Sequence, residues 1–341
     1  MKAVYTILIV FLNVSFLQVR AQDINFSQFY ELPMLRNPAL AGIFRGDIRV
    51  TSAYRNQWES VTVPYRTEAL GTELRFSLGE NSDDYLTIGL QITNDVAGDS
   101  KLSRVQIFPV VNFQKSINGD KDSYISAGIM AGAVQQKFDP STLHFDDQFQ
   151  NGSYSALNPT HQTFTQTNLT YGDDAAGLSY NGTMGNDSHF YIGAGLFHFT
   201  QPKVAFLKQN DIRLNEKWVF NLGMSTPVSD YDKFIMYADY FNQGGNNLFQ
   251  GGFLYYHDLL QIDDDYSKGI SGGVFYRWND ALVPVVKLDL FHFSFGVSYD
   301  VNISKLVIAS QSRGGTEITM SYRDYLTIKN TSAQKVRCPS L

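Results

Sequence analysis

From Leu290 the chain reads Leu-Phe-His-Phe-Ser-Phe-Gly-Val-Ser-Tyr-Asp-Val, ending at Val301. Phe291, Phe293, Phe295, Val297, Tyr299 and Val301 share one parity, and His292, Ser294, Gly296, Ser298 and Asp300 share the other. Successive side chains of a strand point to opposite faces, so the stretch predicts strand structure with an aromatic face and a small, polar face. A strand of a soluble sandwich also alternates, with its polar face in water and its apolar face in a packed core. In a membrane barrel the aromatic face meets lipid and the small, titratable face lines a lumen.

Fourteen such runs can be marked, from Asp47–Trp58 and Tyr65–Leu78 to Phe293–Ile303 and Thr316–Arg323. Turn chemistry separates many of them, as in Gly79-Glu80-Asn81, Asn118-Gly119-Asp120 and Gly185-Asn186-Asp187. Their lengths lie near the ~9–11 residues that cross a bilayer at a tilt, and an even number suits a closed antiparallel barrel. Alternation from Leu282 to Ile303 is too long for one crossing, which predicts a tight turn around Leu290–His292 without a Gly or Asn to mark it. Two segments exceed hairpin length: Lys137 to Gly172, rich in Asp, Gln, Asn, Ser and Thr, and Gln201 to Lys217. Long barrel loops usually share one side and often hold the interactions, so both are candidate partner-binding segments.

Composition agrees with export to a membrane. Met1-Lys2, the mostly apolar Val4 to Leu17 and Val19-Arg20-Ala21 predict a cleaved signal peptide over residues 1–21. Without Lys2 and Arg20 the 27 basic residues become 25 against 33 acidic, a net charge of −8. Nucleic acid is thereby excluded as a partner, because no basic excess exists to neutralise phosphates. Beyond the leader no run supplies the ~20 apolar residues of a spanning helix. Twenty Tyr, 25 Phe and 27 Gly fit interface-seated aromatics and a curved sheet. Cys338 is the single cysteine, so no intrachain disulfide can form.

Catalytic patterns are weak. Gly269-Ile270-Ser271-Gly272-Gly273 matches G-x-S-x-G, but Val274 to Trp278 continues as a strand where a nucleophile elbow needs a helix. Asp263-Asp264-Asp265 lacks the spaced ligands and glycine of a calcium loop. The six histidines show no paired metal-ligand spacing. No enzyme, metal or cofactor is expected. Asp47, Arg49, Arg55, Glu73, Arg75, Glu317 and Arg323 fall on the polar parity of the first two strands and the last one. Such charges can pair inside a lumen, whereas in lipid an Arg or Lys costs about 2–4 kcal/mol at midplane. In the first strand, Val50 is expected to face lipid and Thr51 a lumen tolerant of arginine.

The segment Gln22 to Gly42 is apolar yet interrupted by Pro33 and Pro38. Its unpaired backbone groups exclude it from lipid. It is expected to fold into or across the lumen, turning at Asn37-Pro38 and contacting Arg49, Arg55, Glu73, Arg75, Glu317 and Arg323. The domain plan is therefore a leader (1–21), a plug or cap (22–45), an all-β transmembrane antiparallel barrel of about 14 strands (46–326) and a tail (327–341).

The local sequences also resemble a known family. Phe26-Ser27-Gln28-Phe29-Tyr30, Asn37-Pro38-Ala39-Leu40-Ala41-Gly42 and Tyr54-Arg55-Asn56-Gln57-Trp58 with Pro64-Tyr65 are similar to the start of the PorP/SprF family of type IX secretion membrane proteins. The likeness continues in Leu143-His144-Phe145-Asp146-Asp147-Gln148, Gln201-Pro202, Tyr276-Arg277-Trp278 with Asp280-Ala281, Ser298-Tyr299-Asp300, Ile303-Ser304-Lys305-Leu306, Gly314-Gly315 with Glu317-Ile318, and Arg337-Cys338-Pro339. Phe291-His292 departs from the more turn-like pair usual there, and Ser340-Leu341 extends past the Cys-Pro. The resemblance implies an outer-membrane barrel of Bacteroidota-type bacteria, associated with type IX secretion and gliding machinery. It further implies a partnership with a large, adhesin-like cell-surface protein that the barrel docks and helps to export or anchor. Two other readings stay open: a channel for a small or apolar ligand, like fatty-acid transport barrels, and a structural scaffold for the secretion motor.

Overall fold

The computed structural model describes residues 23–326, apart from 60–62, 80–82, 119–121, 151, 156, 165, 186, 207–210, 264–265 and 306. The expected leader, the tail with Cys338, and Asp264 and Asp265 lie outside the described residues.

Fourteen strands close into one antiparallel barrel. The first five are β1 (Ile48–Gln57), β2 (Tyr65–Ser77), β3 (Tyr85–Ala97), β4 (Leu102–Asn118) and β5 (Ser123–Lys137). A small hairpin, β6 (Phe149–Gln150) and β7 (Ser153–Tyr154), stands outside the wall in the loop that follows. The wall resumes with β8 (Asn168–Met184), β9 (Ser188–Phe197), β10 (Lys217–Pro227), β11 (Asp232–Gln243) and β12 (Asn246–Asp263). It ends with β13 (Tyr266–Arg277), β14 (Ala281–Leu290), β15 (Phe293–Asn302) and β16 (Arg313–Asp324). Closure is made by β1 on β16, with Ile48 opposite Asp324 and Gln57 opposite Gly315, so no sheet edge meets lipid.

Parity sorts the wall as the alternation implies. Ile88, Ile107, Val111, Ile129, Phe220, Val297 and Ile318 are exposed on the outside, while Thr87, Asn112, Ser126, Asn221, Ser298 and Glu317 are buried inside. The uncued turn falls at Phe291-His292, where Phe291 takes a left-handed φ of 57°. That conformation is uncommon for a bulky residue; the ring lies at the surface, beneath the Lys268 ammonium at 4.7 Å. One boundary needs correction: Asn168 to Gly172, read from sequence as loop, open β8. Their alternation is masked by Asn, Thr and Gly.

Because β1 starts where β16 ends, the connections alternate between two ends. The end that holds the start of β1 has the short connections at 78–84, 119–122, 185–187, 228–231, 264–265 and 291–292. The opposite end holds the long ones, 138–167 and 198–216. These are called the terminal end and the loop end below.

A barrel of this strand number encloses more space than its own inward side chains fill. Residues 23–46 occupy it. Phe29–Glu31 and Pro38–Leu40 form 3-10 turns, and Pro33–Arg36 a single α turn. Pro33 and Pro38 stand at helical starts, where their fixed φ suits the turn and no N–H is missed. Local turns let an enclosed segment satisfy part of its backbone without joining a ladder. Phe29 and Tyr30 pack against Ile235, Leu254, Phe275 and Val283, with the Tyr30 ring stacked on Tyr237 at 4.8 Å. Met34 and Ala41 pack against Phe108, Val110 and Met130. Thr51, expected to face a lumen that tolerates arginine, does face inward but is only 3% exposed, so an arginine there would meet packed neighbours.

Candidate functional site

The segment 23–46 runs the length of the lumen, and its upstream end lies at the loop end. Asp23 accepts hydrogen bonds from Arg104 (2.7 Å), near the start of β4, and from Lys217 (3.1 Å), which opens β10. His198, just past β9, lies 3.6 Å from Asp23 and 2.8 Å from Asp173. Burial works against the Asp23 carboxylate, but Lys217 and Arg104 hold it well below the usual carboxylate range. Burial likewise opposes the His198 cation, yet Asp173 and Asp23 together raise it above its ordinary value of 6.5. Four charged or titratable groups thus fasten the tip of the plug.

Deeper in, lumenal side chains replace a β ladder for the plug backbone. Glu317 accepts from the N–H groups of Ser27 and Gln28, both at 2.7 Å. Arg55 donates to the Asn25 carbonyl and, at 2.6 Å, to Asp300, which also accepts from the Ser27 hydroxyl (2.5 Å) and Arg277 (2.6 Å). Arg36 meets Asp239 through two hydrogen bonds, 2.7 and 2.6 Å, with both side chains buried. Asn112 donates to the carbonyls of Ala39 (3.2 Å) and Ala41 (2.6 Å), and Ser179 to Ala39 (2.9 Å). Close approach here requires glycine: a Cβ on Gly128 would fall on the Pro38–Ala39 backbone, and one on Gly177 on the Asn37 side chain.

At the terminal end Glu73 accepts from Gly42 N–H (2.8 Å) and is held by Arg49. Arg75 donates to the Phe44 carbonyl at 2.9 Å, and the Arg49 guanidinium lies 4.5 Å over the Phe44 ring.

The structure brings seven of the eight residues singled out from sequence to the plug. Asn37 caps Ala39 N–H at 2.9 Å and donates to Asn221 at 3.2 Å, with Pro38 opening the next turn. Arg49, Arg55, Glu73, Arg75 and Glu317 line it as described. Arg323 instead faces Ser294 (3.1 Å) and Asp289 (3.9 Å), beside the plug rather than on its backbone. Sequence reading missed Asp23, Arg36, Arg104, Asn112, Lys217, Asp239, Arg277 and Asp300. Inward parity within marked strands was the available signal for Asn112, Asp239, Arg277 and Asp300; Asp23 and Arg36 precede any strand and had none.

The two candidate loops meet each other. Phe138 lies 5.4 Å from Phe164 and 5.0 Å from Phe206, ring to ring. Between the loop end and the plug tip lies a cavity of about 700 Å³, floored by Asp23 to Asn25 and lined in part by Trp58, Tyr65, Asp95 and Trp278. Ser271 of the G-x-S-x-G pattern is buried inside β13, flanked by extended backbone on both sides. Among the described residues no three metal-ligating side chains cluster.

The chain is similar, at low identity, to several solved proteins. The TodX monoaromatic hydrocarbon channel, in a deltaS2 mutant, is similar over 86% of this chain and 93% of its own, at 9% identity and a TM-score of 0.43. CdiB from Acinetobacter baumannii is similar over 81% of this chain and 60% of its own, at 7% identity and 0.41. For the KdgM porin in complex with disordered oligogalacturonate the values are 80%, 98%, 7% and 0.38. No curated protein sequence matches significantly. Residues 18–322 match the family described as type IX secretion system membrane protein PorP/SprF. That match spans the threaded segment and all but the last residues of the barrel, and the chain, an outer-membrane β-barrel, belongs to the PorP/SprF family of type IX secretion system membrane proteins.

Proposed function

We propose that this barrel is a closed, non-enzymatic docking component that holds a large, adhesin-like surface protein at the outer membrane, assisting its export or anchoring. The single observation behind this reading is the lumen: residues 23–46 fill it from end to end, fixed by buried pairs such as Arg36–Asp239. Among the described residues, that filling disfavours the reading as a small-ligand channel. Bacterial barrels place short turns in the periplasm and long loops outside, so the joined loops 138–167 and 198–216 face the surface, and the terminal end faces the secretion machinery.

The experiment pairs a pull-down with a loop deletion. Affinity recovery from native envelopes should bring down a large surface protein, and removing residues 143–164 should keep insertion while reducing that recovery several-fold. Recovery of motor components without any surface protein would favour the scaffold. A large, steady current from intact barrel in planar bilayers would restore the channel.

A further inference from the structure

The cavity between the loop end and the plug tip carries no net charge in its lining: Asp23, Asp95 and Asp280 stand against Arg55, Arg104 and Arg277. Arg55 and Arg277 each meet Asp300 at 2.6 Å, and Arg104 meets Asp23 at 2.7 Å. On the first four strands Arg55, Thr67, Asp95 and Arg104 form one inward row. Two residues nearer the loop end the next inward positions are uncharged, with Gln57 opposite Tyr65 and Ala97 opposite Leu102. All four line the cavity.

Two strands end in a tryptophan at this cavity, β1 with Trp58 and β13 with Trp278, the latter followed by Asn279. Trp58 takes a left-handed φ of 64°, uncommon for a bulky residue and a kind of local strain that ligand sites often hold. Among the described residues the side chains of Gln57, Trp58, Tyr65, Trp278 and Asn279 have no hydrogen-bond partner within the protein. An amide and a phenol each both donate and accept, and an indole donates. Uncharged groups of this kind suit a ligand rich in hydroxyls, which also donate and accept, while the apolar ring faces suit the C–H faces of a sugar. A polypeptide held through its backbone needs an open strand edge, and the closed wall has none. The volume of about 700 Å³ is within the ~300–1,000 Å³ of ordinary ligand pockets.

We propose that this cavity binds a neutral oligosaccharide, with its hydroxyls on Gln57, Tyr65 and Asn279 and its ring faces against Trp58 and Trp278. The site goes beyond the docking reading and does not depend on it, since it needs no partner protein to be occupied.

Tryptophan emission provides the test. The sequence has three Trp; Trp218 faces outward on β10, so Trp218→Phe leaves Trp58 and Trp278 as reporters. Full-length mature barrel in detergent is titrated with maltotriose, cellotriose and mannotriose, and with trigalacturonic acid and acetyl-Ala-Ala-Ala-amide as anionic and peptide controls. At least one neutral trisaccharide should give a saturable change, with both controls about tenfold weaker. Gln57→Leu with Tyr65→Phe breaks no hydrogen bond within the protein, so it should keep the unfolding temperature while weakening the sugar about tenfold, the loss of one or two ligand hydrogen bonds. Should that pair not fold, Tyr65→Phe alone must weaken the sugar. Competition by purified envelope polysaccharide or by glycopeptides from surface proteins would support the site and name the source of its glycan. Silence of all three sugars, a stronger response to either control, unaffected variants, or competition by neither envelope fraction would each overturn the proposal. Partner recovery that depends on residues 143–164 while every sugar is silent would leave docking standing and remove this assignment alone.

Discussion

A single buried pair shows how the plug is held. Arg36 and Asp239 are both nearly inaccessible, and Asp239 also accepts from Asn221 at 2.8 Å. Removing one partner of such a pair leaves a desolvated charge, at a cost of about 3–5 kcal/mol. Asp239→Ala should therefore lower the unfolding temperature of the detergent-solubilised barrel markedly. Joint replacement by Arg36→Met and Asp239→Leu should recover much of the loss; a silent Asp239→Ala would show the pair to be dispensable. Asp23 and His198 add a pH term. The depressed Asp23 contributes stability above its unfolded value near 3.8, lost as pH falls through the lower folded value. The raised His198 contributes fully below 6.5, and that part is lost as pH rises through the raised folded value. The tip is thus held best between roughly pH 4 and 6.5. The unfolding-temperature difference between wild type and His198→Gln should be largest there and shrink at alkaline pH, and a pH-independent difference would contradict the latch.

Strands act as two-faced elements, and neighbouring residues give the sharpest comparison. Ala127 points outward on β5, whereas Gly128 points inward against the Pro38–Ala39 backbone. Ala127→Leu adds apolar surface where lipid accepts it and should leave folding yield unchanged. Gly128→Leu puts a side chain into space that the plug already fills, and overpacking of this kind costs typically about 1–3 kcal/mol or more when backbone is struck. It should lower the unfolding temperature or expose residues 23–46 to added protease; equal behaviour of the two variants would refute the close approach. Parity was readable along each strand without any fold. Occupancy of the space on the inward side was not: parity placed Thr51 inward, and only the fold shows it buried there.

For the whole molecule, the wall encloses more lumen than its own inward side chains fill, and residues 23–46 occupy that space. Deleting residues 23–41 removes most of the plug, takes Arg36 from Asp239 and takes the Ser27 and Gln28 N–H groups from Glu317. The prediction is steady conductance in planar bilayers together with a lower unfolding temperature, and a tight, equally stable deletion would sink the role of the plug. Much of this architecture was legible in advance. Period-two alternation and turn residues made about fourteen two-faced strands legible, because those signals are local and repeat every few residues. A proline-broken apolar segment that suits neither lipid nor water was legible as something to be enclosed. Only the tertiary structure decided that this segment reaches the loop end and which charges hold it. Those pairings join residues 203 apart for Arg36 with Asp239 and 290 apart for Ser27 with Glu317. Local periodicity records which way a side chain points, and it carries no information on what stands opposite across a closed lumen.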